Sequence, residues 1–252
     1  MSMDISVRAP TRSHDEIASE MRPEEDLVRG EITIEGRIVD ASNATLFGTL
    51  ETGDDTFPIV YKPIAGERPL WDFPDGNLAS REVASYVLSK AGRFNCVPTT
   101  VLREGPFGLG AVQEWVVVDE SIDPISLGQS NHPGIRNLAL FDVIVNNTDR
   151  KFGHILPKSD KEILGCDHGV TFHQDFKLRT VIWQFAGELL KPHEIEQLTA
   201  LQRWLINEGQ TELIDLITRG EIEAISMRIE RLLNAGYPIP SEEWPAVPWP
   251  PV

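Results

Sequence analysis

Glycine-built phosphate cradles are missing from this 252-residue chain. It holds 19 glycines, yet no Gly-x-Gly-x-x-Gly and no Gly-x-x-x-x-Gly-Lys-Ser/Thr segment. Both sequence-readable forms of glycine-rich phosphate loop are therefore excluded. Cysteine is scarce: Cys96 and Cys166 are the two present. Their spacing fits neither a disulfide framework nor a zinc ribbon, so they read as reduced thiols of a cytoplasmic protein. No apolar run approaches the roughly 18 residues of a membrane span, and the N-terminus lacks a secretory apolar segment. Integral membrane association is not expected. Cations are also short, 23 Lys and Arg against 39 Asp and Glu, for a formal charge of −16. That balance weighs against nucleic acid, whose binding needs cations to displace phosphate counterions, and against adhesion to anionic lipid. His-Glu-x-x-His, His-x-His-x-Asp and Gly-x-Ser-x-Gly are absent too, which removes the commonest zinc-hydrolase and acyl-transfer signatures.

What is present has the bulk of an ordinary globular protein. Hydrophobic residues make up 41% and charged residues 25%, enough to build a core in one large domain or two lobes. Residues 1–28 are polar and acidic and read as a mobile or loosely docked arm. A first lobe is expected over 29–120. Its strands are read at Glu31 to Val39 with a shift around Gly36, Ala44 to Leu50, Phe57 to Tyr61, Thr99 to Arg103 and Gly110 to Val118. Its single helix runs from Leu78 to Ala91, capped by Asn77 and closed by Gly92. A polar, turn-rich stretch near residue 120 marks the lobe boundary. The second lobe, 121–237, reads as mainly helical: Ile135 to Val145, then helices after Phe172, with one starting at Pro192 and others over Leu213 to Thr218 and Ile222 to Leu233. The last stretch, 238–252, holds six prolines and two tryptophans and reads as an extended tail. The expected class is thus α+β in two lobes, an antiparallel sheet with one helix followed by a helical half, with a cleft between them.

The chemistry concentrates in Asn147-Thr148-Asp149-Arg150-Lys151-Phe152-Gly153-His154 and in Cys166-Asp167-His168-Gly169. Asp149 follows an apolar helix at the head of a polar loop, where a carboxylate can orient the proton of an attacking hydroxyl. Arg150 either braces that loop or meets phosphate. Asp167 and His154 are candidate divalent-metal ligands; an imidazole beside carboxylates points to manganese tolerance, because magnesium prefers oxygen. Upstream, Lys62 ends an apolar strand and Glu82 lies in the middle of the following helix. Taken alone, Lys62 is a solvated strand-end lysine and Glu82 a solvated helix face. Taken in order with the two aspartates, the strand lysine could point into the cleft and neutralise phosphates, and in kinase folds a helical glutamate pairs with such a lysine. Ser42 and Asn43 occupy the turn between the first two strands and can face a terminal phosphate, although such residues also make ordinary turns. A transition-metal site of His154, Asp167, His168 and His173 is the competing reading; adjacent Asp167 and His168 would face opposite ways on an extended strand, which weighs against it.

These motifs resemble the phosphatidylinositol 3-/4-kinase superfamily, in particular small bacterial members. The resemblance is carried by Val60-Tyr61-Lys62-Pro63, Gly66-Glu67-Arg68, Arg81-Glu82-Val83-Ala84, Asn147-Thr148-Asp149-Arg150 with Gly153-His154, and Asp167-His168-Gly169, over roughly residues 30–235. It implies a two-lobed kinase-like fold, ATP between the lobes, and Mg2+ or Mn2+. By position, it makes Lys62 the phosphate-holding lysine, Glu82 its partner, Asp149 the catalytic aspartate and Asp167 a metal ligand. It places Glu114 and Val116 where backbone groups meet adenine. His154 departs from the asparagine usual at its position, and the lower lobe lacks a strong basic segment for an inositol phosphate. The expected reaction is γ-phosphoryl transfer to a hydroxyl. A protein Ser/Thr acceptor is placed first and a small molecule second; a nucleotide-binding pseudokinase, a lipid kinase and an AMP transferase are the alternatives.

Overall fold

Alternating side chains through the first half of the chain form a five-stranded antiparallel sheet. The computed structural model describes residues 21–38, 43–53 and 55–252. Strand β1 (Glu31–Arg37) pairs with β2 (Leu46–Thr52), and their register slips between Ile34 and Gly36, a bulge where the apolar alternation shifts. Next come β3 (Asp55–Pro63), β4 (Thr100–Gly105) and β5 (Gly108–Glu114), in sheet order β1-β2-β3-β5-β4. Central β3 sends Phe57, Ile59 and Tyr61 into a cluster with Leu50, Val101 and Val112. The period of two then presents Val60 and Lys62 on the opposite face, where both line cavities. Strand β5 stops at Glu114, short of the expected Val118. Trp115 N–H still reaches the Pro58 carbonyl at 3.1 Å, but Pro58 has no N–H to return, so the ladder ends there.

The arm before the sheet is docked over its described part. Helix α1 (Glu24–Arg29) buries Leu27 completely against that cluster. Helix α2 (Leu78–Ala91) has the expected bounds, and the Asn77 side chain accepts from Ser80 N–H at 2.7 Å. Glu67 adds a second cap, its carboxylate accepting from Leu78 and Ala79 N–H at 2.9 and 2.8 Å.

The second half is built around α4 (Pro133–Val145), preceded by the short α3 (Pro124–Gly128). Helix α4 is buried on nearly all sides, and Ile135, Leu138, Phe141 and Ile144 enter the largest apolar cluster with Leu198, Leu201 and Ile225. Strands β6 (Ile155–Pro157) and β7 (Ile163–Gly165) form a small hairpin after the loop that leaves α4. The mostly helical character expected after Phe172 begins only at Pro192. Residues 172–191 stay irregular because their backbone groups pair elsewhere: Arg179 N–H with Asn147 C=O and Thr180 N–H with Ala246 C=O, both at 2.9 Å. Helix α5 (Pro192–Trp204) starts at its proline, passes through a π-helical turn over Leu205–Gly209 into α6 (Gln210–Leu213), and α7 (Arg219–Ala235) follows a Thr218–Glu221 capping box. The helix expected over Leu213 to Thr218 therefore lies earlier. The C-terminal segment is extended but held down: Ala246 C=O also accepts from the Trp183 indole at 2.8 Å, and Pro251 C=O from Phe152 N–H at 2.9 Å. Among the described residues, no helix is long and apolar enough to cross a membrane.

Candidate functional site

Helix α4 ends in a left-handed cap at Asn146, with φ of 53°, which turns the chain sharply into the 147–154 loop. Beneath the loop lies a fully buried ion pair: Arg150 Nε and Nη2 donate to Asp142 Oδ2 and Oδ1, each at 2.9 Å. The same guanidinium donates to Cys166 C=O at 2.8 Å and to His168 Nε2 at 2.7 Å. Arginine has only donors, so His168 Nε2 is the acceptor. Burial, reinforced by Arg150, pushes this imidazole well below its ordinary pKa and keeps it neutral. Asn147 donates to Asp142 Oδ1 at 3.0 Å and accepts Asp149 N–H at 3.0 Å, which couples the buried pair to Asp149. Of the two sequence readings of Arg150, its placement is that of a brace.

Above this base, the loop presents Asp149 and His154 to the cleft. Asp167 joins them from the segment after β7, with φ of 58°, a left-handed backbone that is costly for a residue with a Cβ. The strained turn sends Asp167 into the cleft and lets His168 drop into the core. Ligand atoms of Asp149, His154 and Asp167 all lie within 4.8 Å of one another. His154 Nε2 is 3.5 Å from Asp167 Oδ2, and its buried Nδ1 has no hydrogen-bond partner among the described residues. Burial pushes the His154 pKa down to about 4 in spite of Asp167, so its ring is neutral near pH 7 and free to donate an electron pair. Two carboxylates and a neutral imidazole could together hold a divalent metal ion. His168 and His173 stand apart: His173 packs edge-on against Phe73 and contacts Lys177.

Lys62 crosses the cleft. Its ammonium pairs with Glu82 on α2 and donates to Asp167 Oδ1 at 2.9 Å. Burial opposes the charged lysine, but Asp167 and Glu82 outweigh it and raise its pKa. The charge of Lys62, partly offset by burial, holds Asp167 well below the usual carboxylate range. Glu82 Oε2 also accepts His168 N–H at 3.0 Å, so α2, β3 and the Asp167 turn are fastened at one point. Asp149 behaves differently. Burial raises its pKa, Lys151 at 3.2 Å opposes, and Asp167 adds to the rise.

Two cavities share Lys62 and Asp167. One is bounded by Asn43, Thr45, Glu67, Glu82 and Asp149. The other is bounded by Val60, Glu114, Val116, His154 and Leu156. Glu114 turns its carboxylate to Arg22 N–H at 2.8 Å. No hydrogen bond engages the Val116 backbone among the described residues, leaving it free for a planar ring's donors and acceptors. Asn43 lines the first cavity, but its side chain accepts Arg68 N–H at 2.9 Å. Ser42 lies outside the described residues.

No protein-family model matches the chain. Protein Rv2133c of Mycobacterium tuberculosis (strain ATCC 25618 / H37Rv) is 36% identical over 260 residues, covering 89% of this chain and 93% of that protein. The chain belongs to the Rv2133c family. A solved Helicobacter pylori protein, described as the proinflammatory kinase CtkA, is 11% identical with a TM-score of 0.43, over 83% of this chain and 94% of that one. Within this member of the Rv2133c family, sequence reasoning missed four residues that build the site. Asp142 was signalled by a lone acid inside an apolar helix, and Glu67 by its position before the α2 cap. Asn147 and Lys151 sit inside the quoted loop, but their partners became visible only in three dimensions.

Proposed function

We propose that this chain is a cytoplasmic ATP- and divalent-metal-dependent phosphotransferase of the phosphatidylinositol 3-/4-kinase-like type, moving the γ-phosphoryl group to an acceptor hydroxyl. The observation that carries the reading is the triple junction of Lys62, Glu82 and Asp167 facing Asp149 across one cleft. In that arrangement the Lys62 ammonium neutralises nucleotide phosphates, and Glu82 fixes its direction. The more apolar cavity, with the free Val116 backbone, takes the base. Asp167 and His154 hold a divalent ion, which supplies neutralisation of the phosphate charge. Asp149 accepts a hydrogen bond from the acceptor hydroxyl and aims its oxygen at the γ-phosphorus. Positioning and charge supply most of the rate in such a reaction. A protein Ser/Thr and a small hydroxylated molecule are the two acceptor classes to try.

ATP labelled at the α- or the γ-phosphate tests the reading. Label moving from the γ-position to an acceptor, dependent on Mg2+ or Mn2+ and lost in Asp149→Asn, is the expected result. Transfer of α-label would establish AMP transfer instead. A metal-dependent thermal shift with ATP but no loss of γ-phosphate under any condition would leave a nucleotide-binding scaffold.

A further inference from the structure

Beside the 147–150 loop, three distant segments converge on two cations. The Asn146 side chain clamps the turn after Phe172, donating to His173 and Asp175 carbonyls at 2.9 and 2.7 Å and accepting Lys177 N–H at 2.9 Å. Arg179 then pairs with the catalytic loop through its backbone, N–H to Asn147 C=O at 2.9 Å and C=O from Arg150 N–H at 3.1 Å. The C-terminal segment lays Trp244 over both cations, 5.2 Å from Lys177 Nζ and 5.9 Å from the Arg179 guanidinium. The ring of Trp71, 85% exposed, lies 5.6 Å from Lys177 Nζ.

Two polar groups here lack a partner among the described residues. Arg179 makes no hydrogen bond or ion pair through its side chain among the described residues, although its Nε is buried. Trp244 Nε1 is likewise buried without a partner. The carboxylate nearest to Lys177 is Asp72, 3.9 Å away, and His173 Nε2 lies at 3.1 Å. In a chain with 39 acidic and 23 basic residues, Arg179 stands out: it makes no side-chain hydrogen bond among the described residues, and its charge is felt by Asp149. A planar guanidinium fork and an ammonium between indole walls form a receptor for an oxyanion.

Building on the phosphotransfer reading, we infer that Lys177, Arg179 and Trp244 form an acceptor subsite that binds the phosphate or carboxylate of a small hydroxylated acceptor, holding its hydroxyl at Asp149. A small acceptor fits better than an extended peptide. The backbone edge a peptide would pair with is already taken: Thr180 N–H bonds Ala246 C=O and Phe152 N–H bonds Pro251 C=O. This choice reverses the order of acceptors expected from the sequence.

Binding without nucleotide tests the subsite independently of turnover. Glycerol 3-phosphate, D-glycerate and uncharged glycerol are titrated calorimetrically into the full chain, its Lys177→Ala/Arg179→Ala variant and its Lys62→Ala variant. Wild type is expected to bind one or both anions at least tenfold more tightly than glycerol, with phosphate against carboxylate told apart by which one. Lys62→Ala retains that preference and the double variant loses it. Trp244→Ala weakens it several-fold, and Trp244→Phe restores most of it. Equal responses of wild type to all three compounds, or a preference unchanged in the double variant, overturn the inference. Anion preference without any γ-phosphoryl transfer would keep the subsite and sink the enzymatic reading.

Discussion

Two clusters of acids, bases and histidine sit back to back in this protein and follow opposite rules. Under the 147–154 loop, Asp142, Arg150 and His168 are completely buried, and the Arg150 guanidinium is filled by one carboxylate, two carbonyls and one imidazole. On the cleft side, Asp149, His154 and Asp167 crowd together with unused lone pairs, balanced by Lys62 and Lys151. Sequence neighbours divide between them: Arg150 goes down where Asp149 goes up, and His168 goes down where Asp167 goes up. A cluster whose guanidinium is filled in this way resists rearrangement and gives the loop its shape, although His168 Nδ1 is buried without a partner among the described residues. An unsaturated one is poised for a ligand.

The sharpest way to break the contrast is to remove one member of the buried pair. Arg150→Ala leaves the buried Asp142 without its cation, which should cost about 3–5 kcal/mol of stability. Urea unfolding followed by circular dichroism measures it, and a loss under about 1 kcal/mol would deny the pair its structural role. The cleft cluster should respond in the other currency. Asp149→Asn and Asp167→Asn are each expected to lower γ-phosphoryl transfer by roughly 10²–10⁴-fold while the fold stays intact. Burial raises the Asp149 pKa in the folded state, so folding takes up a proton there. That contribution is fully present below the unfolded pKa and is lost as pH rises through the folded one. At neutral pH the ionised carboxylate therefore works against folding, and Asp149→Asn should leave the unfolding midpoint unchanged or slightly higher. A clear drop in the midpoint would make Asp149 a structural residue.

The contrast also explains what could be read from the sequence. Helix α2 was legible because Asn77, its apolar spacing and Gly92 are local signals. The order Lys62, Glu82, Asp149, Asp167 could be written down because Lys62 closes a strand, Glu82 lies within a helix, and the two aspartates stand in loop motifs that resemble those of a known superfamily. The brace role of Arg150 was not, since an arginine beside an aspartate looks the same whether it meets phosphate or a carboxylate buried in a helix behind it. Residues 172–191 misled for a related reason: their apolar content suits a helix, but their backbone partners lie in the 147–150 loop and in a tail many residues away. Burial and long-range pairing decide such segments, and neither is encoded locally.

His154 offers a finer test within the cleft cluster. Its neutral ring brings a nitrogen donor to a site otherwise made of carboxylate oxygens. Replacing it with an amide oxygen in His154→Asn should shift metal preference from Mn2+ towards Mg2+ by on the order of tenfold, read as the ratio of the two ions' affinities by calorimetry. An unchanged ratio would remove His154 from the metal set.

The smallest expected effect belongs to Lys151, 3.2 Å from Asp149. Burial favours the protonated, neutral form of Asp149, and the Lys151 charge is the largest force opposing it. In the proposed reaction transfer requires the ionised carboxylate, so activity should fall on the acid side as Asp149 takes up its proton. Removing the cation in Lys151→Met makes that proton harder to lose and moves the acid limb to higher pH. Because the pair is partly solvated, the move should stay under about one pH unit, equivalent to roughly 1.4 kcal/mol. Lys151→Arg keeps the charge and should keep the limb in place. A pH–rate profile of kcat/KM distinguishes the three proteins. If the methionine variant loses activity evenly at every pH, Lys151 acts on the transferred phosphate rather than on the charge of Asp149. Lys151 would then belong to the unsaturated cluster as a direct ligand rather than as its counter-ion.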